Sequence, residues 1–444
     1  MLRCSNRDVA LTLRQFAEHG LDCGLIVPTA TGLEKSILDA TDSVRAWLRE
    51  QGIHDYSAQQ QGPDAKATIA TLLFSKGEVV ATTTSLYRPN TKQGDPRIWF
   101  GRLSKYATAG DLLAICNAGS KLMVVNTSQS DVGHLLEDRT SSFWCALRSE
   151  GEAAGQPLRV TAAEARDILL DGGGPAARTG GRPLTRVDSR SQSTPTGRRP
   201  LTAEALELLA MLKLVGAQGF LRTLRPGDTG VGYTLETKLG IKCNSSKAPD
   251  YKGIEIKAGR KGSHAKGRTT ILSQVPEWKI SRLKGSADIL RARGRYSDKK
   301  GRRQLFHELS MIKPNSYGMA LELEGNVLLH QSWTDGSTLV RDTTWRLETL
   351  FSRLKDKHGQ TFWVKADTRG RGAEEEFHYA TARYTSGVSE AKLPMLLEAG
   401  VITVDYTIKE TSTGGAKDQG YLFKIRQADL PLLFKSPLTF DLAA

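Results

Sequence analysis

Between Gly227 and Lys257 the chain reads GDTGVGYTLETKLGIKCNSSKAPDYKGIEIK, and four of its side chains are of the types that could do chemistry together: Glu236, Asp250, Glu255 and Lys257. In GIEIK the residues alternate apolar and charged, so Glu255 and Lys257 share one face of a short strand while Ile254 and Ile256 face a core. Asp250 precedes that strand by a turn containing Gly253, which sets it on the neighbouring arm of a bent hairpin where its carboxylate can meet Glu255. Two convergent carboxylates, completed by waters and a substrate phosphate, are what magnesium accepts. A lysine beside them can orient and help deprotonate a metal-bound water, or stabilise the charge that grows on a phosphate. The set reads as the centre of a metal-dependent nuclease.

Upstream, Val231, Leu235 and Leu239 repeat every four residues and predict a helix with its apolar edge to the core. Glu236 flanks that edge, with room beside it at Gly232, and offers a third carboxylate to the metal, directly or through water. A Glu-x-Lys on a strand is ordinarily a solvated ion pair. Three acids and a lysine predicted to converge point instead to a bound cation, because like charges otherwise repel. The glycine-rich GDTGVGYT is also a candidate phosphate cradle, although it lacks the Gly-Lys-Ser/Thr ending of a P-loop and follows a helical segment.

At 444 residues the chain has room for two or three domains, and 39% hydrophobic content fits globular material. No transmembrane run or signal peptide is visible, so the expectation is a cytoplasmic protein with no membrane partner. The formal net charge of +14 favours a polyanionic partner, nucleic acid before an anionic membrane surface. Cys4, Cys23, Cys116, Cys145 and Cys243 lack Cys-x-x-Cys spacing, which argues against zinc, and their odd, sparse set argues against a disulfide framework.

In the N-terminal part, helices are expected near Asp8 to His19 and from Thr31 to Arg49. The runs TIATLLF, EVVATTTSLY, RIWFGR, LLAICNAG and KLMVVN then predict closely spaced strands of a barrel or sandwich. The segment YRPNTKQGDPRIWFGR carries Arg88, Asn90, Lys92, Arg97 and Arg102. It could enter a DNA groove, since Arg and Asn read guanine and adenine edges there; a solvated hairpin tip is the other reading. HDYSAQQQ, with His54 and Tyr56, is a candidate second arm or a plain linker. Residues 171–200, dense in Gly, Pro, Ser, Thr and Arg, read as a flexible linker.

The second domain opens with Thr202 as N-cap of a helix whose Leu208, Met211, Leu212 and Val215 form a core stripe. After a strand near Thr269 to Ser273, the tract WKISRLKGSADILRARGRYSDKKGRRQ, including Arg282, Arg291, Arg293 and Arg295, has the pattern of a phosphate-tracking surface or of a solvated face. MALELEGNVLLH predicts a hairpin turning at Gly325 and Asn326, TTWRLETLFSRLK an amphipathic helix, and TFWVKAD a strand. In ITVDYTI one face is apolar and the other polar; with its partner YLFKIR it flanks TSTGGAKDQG, where Asp405, Lys417, Asp418 and Lys424 could read bases or simply decorate a hairpin.

The run G-x-T-G-x-G-x-T-x-E, then A-P-D and I-E-I-K, resembles the MvaI/BcnI group of restriction endonucleases, relatives of the MutH nuclease within the PD-(D/E)XK superfamily. The likeness covers roughly Leu201 to Ala444 and departs at Thr407, where relatives place an arginine. It implies an α/β nuclease fold with a central mixed sheet, metal ligation by Asp250 and Glu255 with Glu236 assisting, Lys257 as the catalytic lysine, Mg2+ as cofactor, and a monomer. The N-terminal domain looks, by arrangement, like the β-rich DNA-binding pseudobarrel of the EcoRII effector, with flanking helices.

The implied organisation is an effector domain over 1–170, a linker over 171–200 and a catalytic domain over 201–444. The implied activity is that of a Type IIE enzyme cutting double-stranded DNA at CCWGG and binding a second target copy, in a bacterial cytoplasm beside a cognate methyltransferase. No small-molecule cofactor is expected. A MutH-like nickase and a non-catalytic DNA-binding regulator are the rival readings.

Overall fold

The computed structural model describes residues 6–91, 94–152, 201–241, 249–261, 267–325 and 327–443. These fall into two compact units, one within 21–199 and one within 200–444, and residues 5–20 belong with the second. Helix α1 (Asn6–Glu18) is therefore part of the second unit, although sequence order groups it with the first domain. Its Arg14 reaches a carboxylate near the C-terminus: Nε and Nη2 donate to the two oxygens of buried Asp429 at 2.6 and 3.1 Å.

In the first unit, strands β1 (Cys23–Ile26), β2 (Ile37–Asp39), β3 (Ala67–Ser75), β4 (Glu78–Tyr87), β5 (Arg97–Phe100), β6 (Leu113–Ala118) and β7 (Lys121–Asn126) form one sheet in the order β1-β6-β7-β3-β4-β5-β2. All pairs are antiparallel except β3 with β7. Helices α2 (Ala30–Glu34), α3 (Asp42–Glu50), α4 (Leu103–Tyr106), α5 (Val132–Glu137) and α6 (Ser142–Glu152) flank it. The single helix expected over Thr31–Arg49 is α2, β2 and α3. Thr29 and Thr41 each cap a new helix through a side-chain oxygen, Ser36 takes a positive φ of 51° between them, and Ile37 and Leu38 are drawn into pairing with β5. Cap chemistry and a nonlocal strand partner outweigh the helical spacing there.

The second unit is built on a mixed sheet, β20-β17-β16-β9, formed by β9 (Glu255–Arg260), β16 (Gln360–Arg369), β17 (Glu376–Val388) and β20 (Phe434–Asp441), with β8 (Leu221–Arg222) paired to β17. β9 and β16 are parallel; the other pairs are antiparallel. One sheet face, with Ile256, Phe362, Val364, Ala366, Ala382 and Tyr384, packs on α7 (Ala203–Gly216) and α8 (Gly230–Lys238). Those helices form as their stripes require: Thr202 accepts the Ala205 N–H at 3.2 Å, Leu208, Leu212 and Val215 are buried, and Val231, Leu235 and Leu239 close the same core.

A second sheet, β10-β19-β18-β12-β11, contains β10 (Arg268–Ser273), β11 (Arg295–Ser297), β12 (Arg302–Leu309), β18 (Ile402–Glu410) and β19 (Ala416–Arg426). A three-stranded meander of β13 (Met319–Glu324), β14 (Leu328–Thr334) and β15 (Leu339–Arg346) packs on it. Trp345 lies against Tyr406, Tyr421 and Phe423, and Thr343 hydrogen-bonds Tyr406 at 2.7 Å. Thr343 to Arg346, expected as helix, are strand: their alternate side chains fill this aromatic core, and helix α10 (Leu347–His358) begins after them. The other α-helices among the described residues of this unit are α9 (Ser286–Arg293), before β11, and α11 (Lys392–Glu398). Gly325 takes positive φ in the β13–β14 turn; Asn326 lies outside the described residues.

Candidate active site

β9 carries the expected pair. Ile254 and Ile256 are buried in the core, and Glu255 and Lys257 project from the opposite face. Tyr251 and Ile254 exchange backbone hydrogen bonds of 2.9 and 2.7 Å around a turn in which Lys252 and Gly253 both have positive φ, 43° and 82°. Glycine meets that demand without a Cβ penalty. The turn folds Asp250 back along the strand, where its Oδ2 accepts the Ile256 N–H at 2.9 Å. Burial, reinforced by the neighbouring Glu255 charge, raises the Asp250 pKa from its ordinary value against the pull of that hydrogen bond and of Lys257 and Lys357.

Glu255 is 2% exposed, and its Oε1 accepts Lys257 Nζ at 2.6 Å. A second ammonium, Lys357 at the end of α10, stands 3.4 Å from the same oxygen. Sequence reading did not single out Lys357. Its approach depends on α10 running directly into β16, which lies parallel to β9 in a register that sets Thr361 beside Glu255, and nothing local in KDKH signals that. The adjacent His358 roofs the same face, stacked on Trp363 at 5.3 Å. Its Nε2 donates to the Ile271 carbonyl at 2.6 Å and its Nδ1 accepts from Thr361 Oγ1 at 2.9 Å. Burial, with the charges of Lys257 and Lys357, pushes its pKa down to about 3, so it stays neutral and architectural.

Glu236 lies on α8, which packs against β9, and an added Cβ at Gly232 would sit 3.9 Å from its Oε1. Among the described residues no three acids, histidines or cysteines converge tightly enough to enclose a metal. Asp250 and Glu255 come together, and Glu236 does not join them in a three-acid cage. The donor set is two hard carboxylate oxygens without sulfur or imidazole. This fits a small divalent cation that keeps several waters and shares a phosphate, rather than one enclosed by protein. Arg260, from the other face of β9, forks onto Glu375 at 2.6 and 2.7 Å and donates to the Gly227 and Asp228 carbonyls, tying the start of α8 to the catalytic strand.

On the second sheet, Lys424 Nζ pairs with Asp405 Oδ2 at 2.5 Å, and Asp418 accepts the Ser286 hydroxyl at 2.7 Å. Lys417 is exposed opposite Lys409. Arg291 pairs with Asp288 of its own helix, and Arg295 stacks over Tyr317 at 3.9 Å. Two arginines of the basic tract turn inward: Arg282 and Arg293 both bind fully buried Asp342.

In the first unit the arms are tied down by residues expected to face DNA. Arg88 donates to the carbonyls of Gly94 and Gln59, Arg97 pairs with Asp39 and Asp95, and the buried Tyr56 donates to the Arg97 carbonyl at 2.8 Å. Tyr56 is 4% exposed, so its ring packs the arm instead of presenting it. His54 lies edge-on to that ring, and burial pulls its pKa below the ordinary value. Asn90 and Arg102 are exposed; Lys92 lies outside the described residues.

The model of the MvaI/BcnI restriction endonuclease family matches residues 209–434, which takes in the hairpin, both lysines at Glu255 and the second sheet. The chain belongs to this family. It is a site-specific DNA nuclease, of a family that generally uses divalent metal ions. Solved structures similar to it include restriction endonuclease MvaI in a complex with its cognate DNA substrate, at 22% identity over 55% of this chain and 100% of that one with a TM-score of 0.47. They also include MvaI without DNA, at 21% identity over 55% and 99% with a TM-score of 0.37. No curated protein matches this chain. No helix among the described residues is long and apolar enough to cross a membrane.

Proposed function

We propose that this chain is a Type IIE restriction endonuclease that hydrolyses double-stranded DNA at CCWGG, after the second C, with magnesium as its metal. The observation that carries the chemistry is the buried Glu255 carboxylate held by Lys257 beside Asp250, on the strand of a MvaI/BcnI-family chain. Asp250 and Glu255 would hold the ion, with Glu236 assisting through water; when bound, it supplies a Lewis acid for the phosphate and a water of lowered pKa. Lys257 orients the attacking water and presents an ammonium to the charge growing on the phosphate. Asp405, Lys417, Asp418, Lys424 and Arg295 from the second sheet, and Arg291 from helix α9, face or flank the bases.

The N-terminal unit, up to about residue 170, is read as an EcoRII-like effector pseudobarrel that binds a second target copy and is joined through 171–200 to the catalytic part, an arrangement that resembles UbaLAI. Its seven-stranded sheet with arms pinned by Arg88 supports that reading. Tethering two DNA-binding units raises effective concentration and couples occupancy of one site to cutting at the other. The protein acts as a monomer in a bacterial cytoplasm, beside a methyltransferase that protects the host.

Digestion of plasmids bearing no, one or two CCWGG copies, with and without magnesium and with the ends mapped, tests this. The expected result is linear product cut after the second C, fastest on the two-copy plasmid. Nicked circles as the end product would favour a MutH-like nickase, and binding without magnesium-dependent cutting would favour a regulator. Equal rates on one and two copies would remove the effector role.

A further inference from the structure

Beyond Lys257 the catalytic face of the sheet continues to Gly259, where the absence of a side chain lets two polar groups approach the backbone. A Cβ at Gly259 would stand 3.3 Å from Gln427 Nε2 and 3.7 Å from Lys365 Nζ, so an amide and an ammonium both lean over bare backbone. The register explains why. Gly259 is opposite Lys365 in the parallel pair, Lys365 is opposite Thr381, and Trp363 is opposite Arg383, which sets Lys365 and Arg383 as diagonal neighbours on the face that carries Glu255 and Lys257.

Lys365 and Arg383 are half-buried, and among the described residues neither is paired with an acid. The charge that Lys365 feels is a like charge, that of Arg383. Other cations of this unit do meet acids: Arg293 and Arg282 share Asp342, Arg260 binds Glu375 and Lys424 binds Asp405. Two partly desolvated, mutually repelling cations are unfavourable by themselves and become favourable when an anion enters between them.

The two cations are placed for one anion in particular. Gly259 is two residues past Lys257, about 6.6 Å along a strand, on the order of one nucleotide step from the scissile position. His358, stacked on Trp363, covers the β16 side of the face beside Lys257, and a DNA strand that is held at Glu255 and Lys257 and follows β9 passes Gly259. We infer that Gly259, Gln427, Lys365 and Arg383 form a binding site for the DNA backbone phosphate next to the one that is cut. Gly259 gives the floor and close approach, the Gln427 amide and Lys365 ammonium donate hydrogen bonds, and Arg383 neutralises the charge. Lys365 is on this account a positioning residue, reading no base. The inference rests on DNA lying along this sheet face, as the proposed reaction requires.

The test is fluorescence anisotropy of a labelled CCWGG duplex and of an unrelated duplex, in EDTA to prevent cutting, with the full chain across a salt series. Lys365→Ala is expected to weaken both duplexes by about tenfold at moderate salt and to reduce the log–log salt slope by about 1. Lys365→Arg is expected to restore both, and Arg383→Ala to reproduce the loss independently. Melting of the free protein should stay level or rise in Lys365→Ala, because a repulsion is relieved; a residue serving only the fold would lower it. An unchanged slope and affinity, or a loss of affinity that merely tracks a fall in melting temperature, overturns the subsite while leaving the nuclease reading intact. Failure of the wild-type chain to bind either duplex would instead sink the premise that DNA lies here.

Discussion

Asp342 and Glu255 are both carboxylates sunk in sheets of the same unit, and each is met by two cations. Asp342 is gripped by Arg282 and Arg293, supplemented by Gln331 at 3.3 Å, with the Arg293 guanidinium capped by the Trp333 ring at 4.0 Å. Planar guanidinium forks satisfy both oxygens and leave no second acid to be paired. Glu255 is met instead by two flexible ammonium groups on one oxygen, with Asp250 crowded beside it and a bare glycine floor further along. In the first arrangement a single buried acid is held from several sides by side chains of its own unit. The second carries two neighbouring acids at one end and, further along, two cations with no acid partner among the described residues, the pattern expected where an external cation and an external phosphate complete the site. Charge density alone does not separate scaffold from site; what remains unmatched does.

Substitutions at the two carboxylates should pull this contrast apart. Glu255→Gln is expected to reduce cleavage by at least about a thousandfold with duplex binding retained and melting unchanged or raised, measured by plasmid digestion beside thermal denaturation. Asp342→Ala should do the reverse in kind: a loss of about 3–5 kcal/mol of stability, because two arginines lose a fully buried partner. Urea denaturation reads it, and a fully stable variant would mean that Asp342 is not a clamp. If both substitutions mainly cost stability, the distinction between scaffold and site fails.

The covered side of the catalytic face is sharpened by pH. His358 titrates at about 3 in the fold against 6.5 unfolded. Between those values the unfolded chain binds the extra proton, so stability contributed by neutral His358 is intact above 6.5 and falls as pH drops toward 3. The slope is about 1.4 kcal/mol per pH unit. Denaturant midpoints at pH 6.5 and 4.5 should converge more in His358→Gln than in wild type; identical slopes would remove His358 as the roof.

The smallest effect belongs to a pair intermediate between the two extremes. Arg14 is 38% exposed while Asp429 is 3% exposed, so Arg14→Ala should cost only about 1 kcal/mol once solvent screening is counted. A loss several times larger would make α1 a principal support of the catalytic unit.

What the sequence made legible was local. Alternation in GIEIK, the four-residue repeat of Val231, Leu235 and Leu239, and the Pro-Asp-x-x-Gly turn each encode a period or a φ requirement that the chain meets wherever it is placed. Lys357, Lys365 and Arg383 reach the site only through the pairing of β16 with β9 and β17, and no spacing reports such pairings. For the same reason Arg282 and Arg293 read as part of a basic surface although their partner, Asp342, lies on a different strand. Thr31 to Arg49 shows the reverse case: a helical spacing broken because Ile37 and Leu38 find a strand partner elsewhere.

The central claim is that hydrolysis occurs where Lys257 meets Glu255 and Asp250. The direct measurement is magnesium-dependent cleavage of a CCWGG plasmid by purified Lys257→Ala beside the wild-type chain, with anisotropy confirming that the variant still binds the duplex. The account predicts no detectable linear product over a time in which wild type cuts to completion. Cutting by Lys257→Ala at the wild-type rate would contradict it.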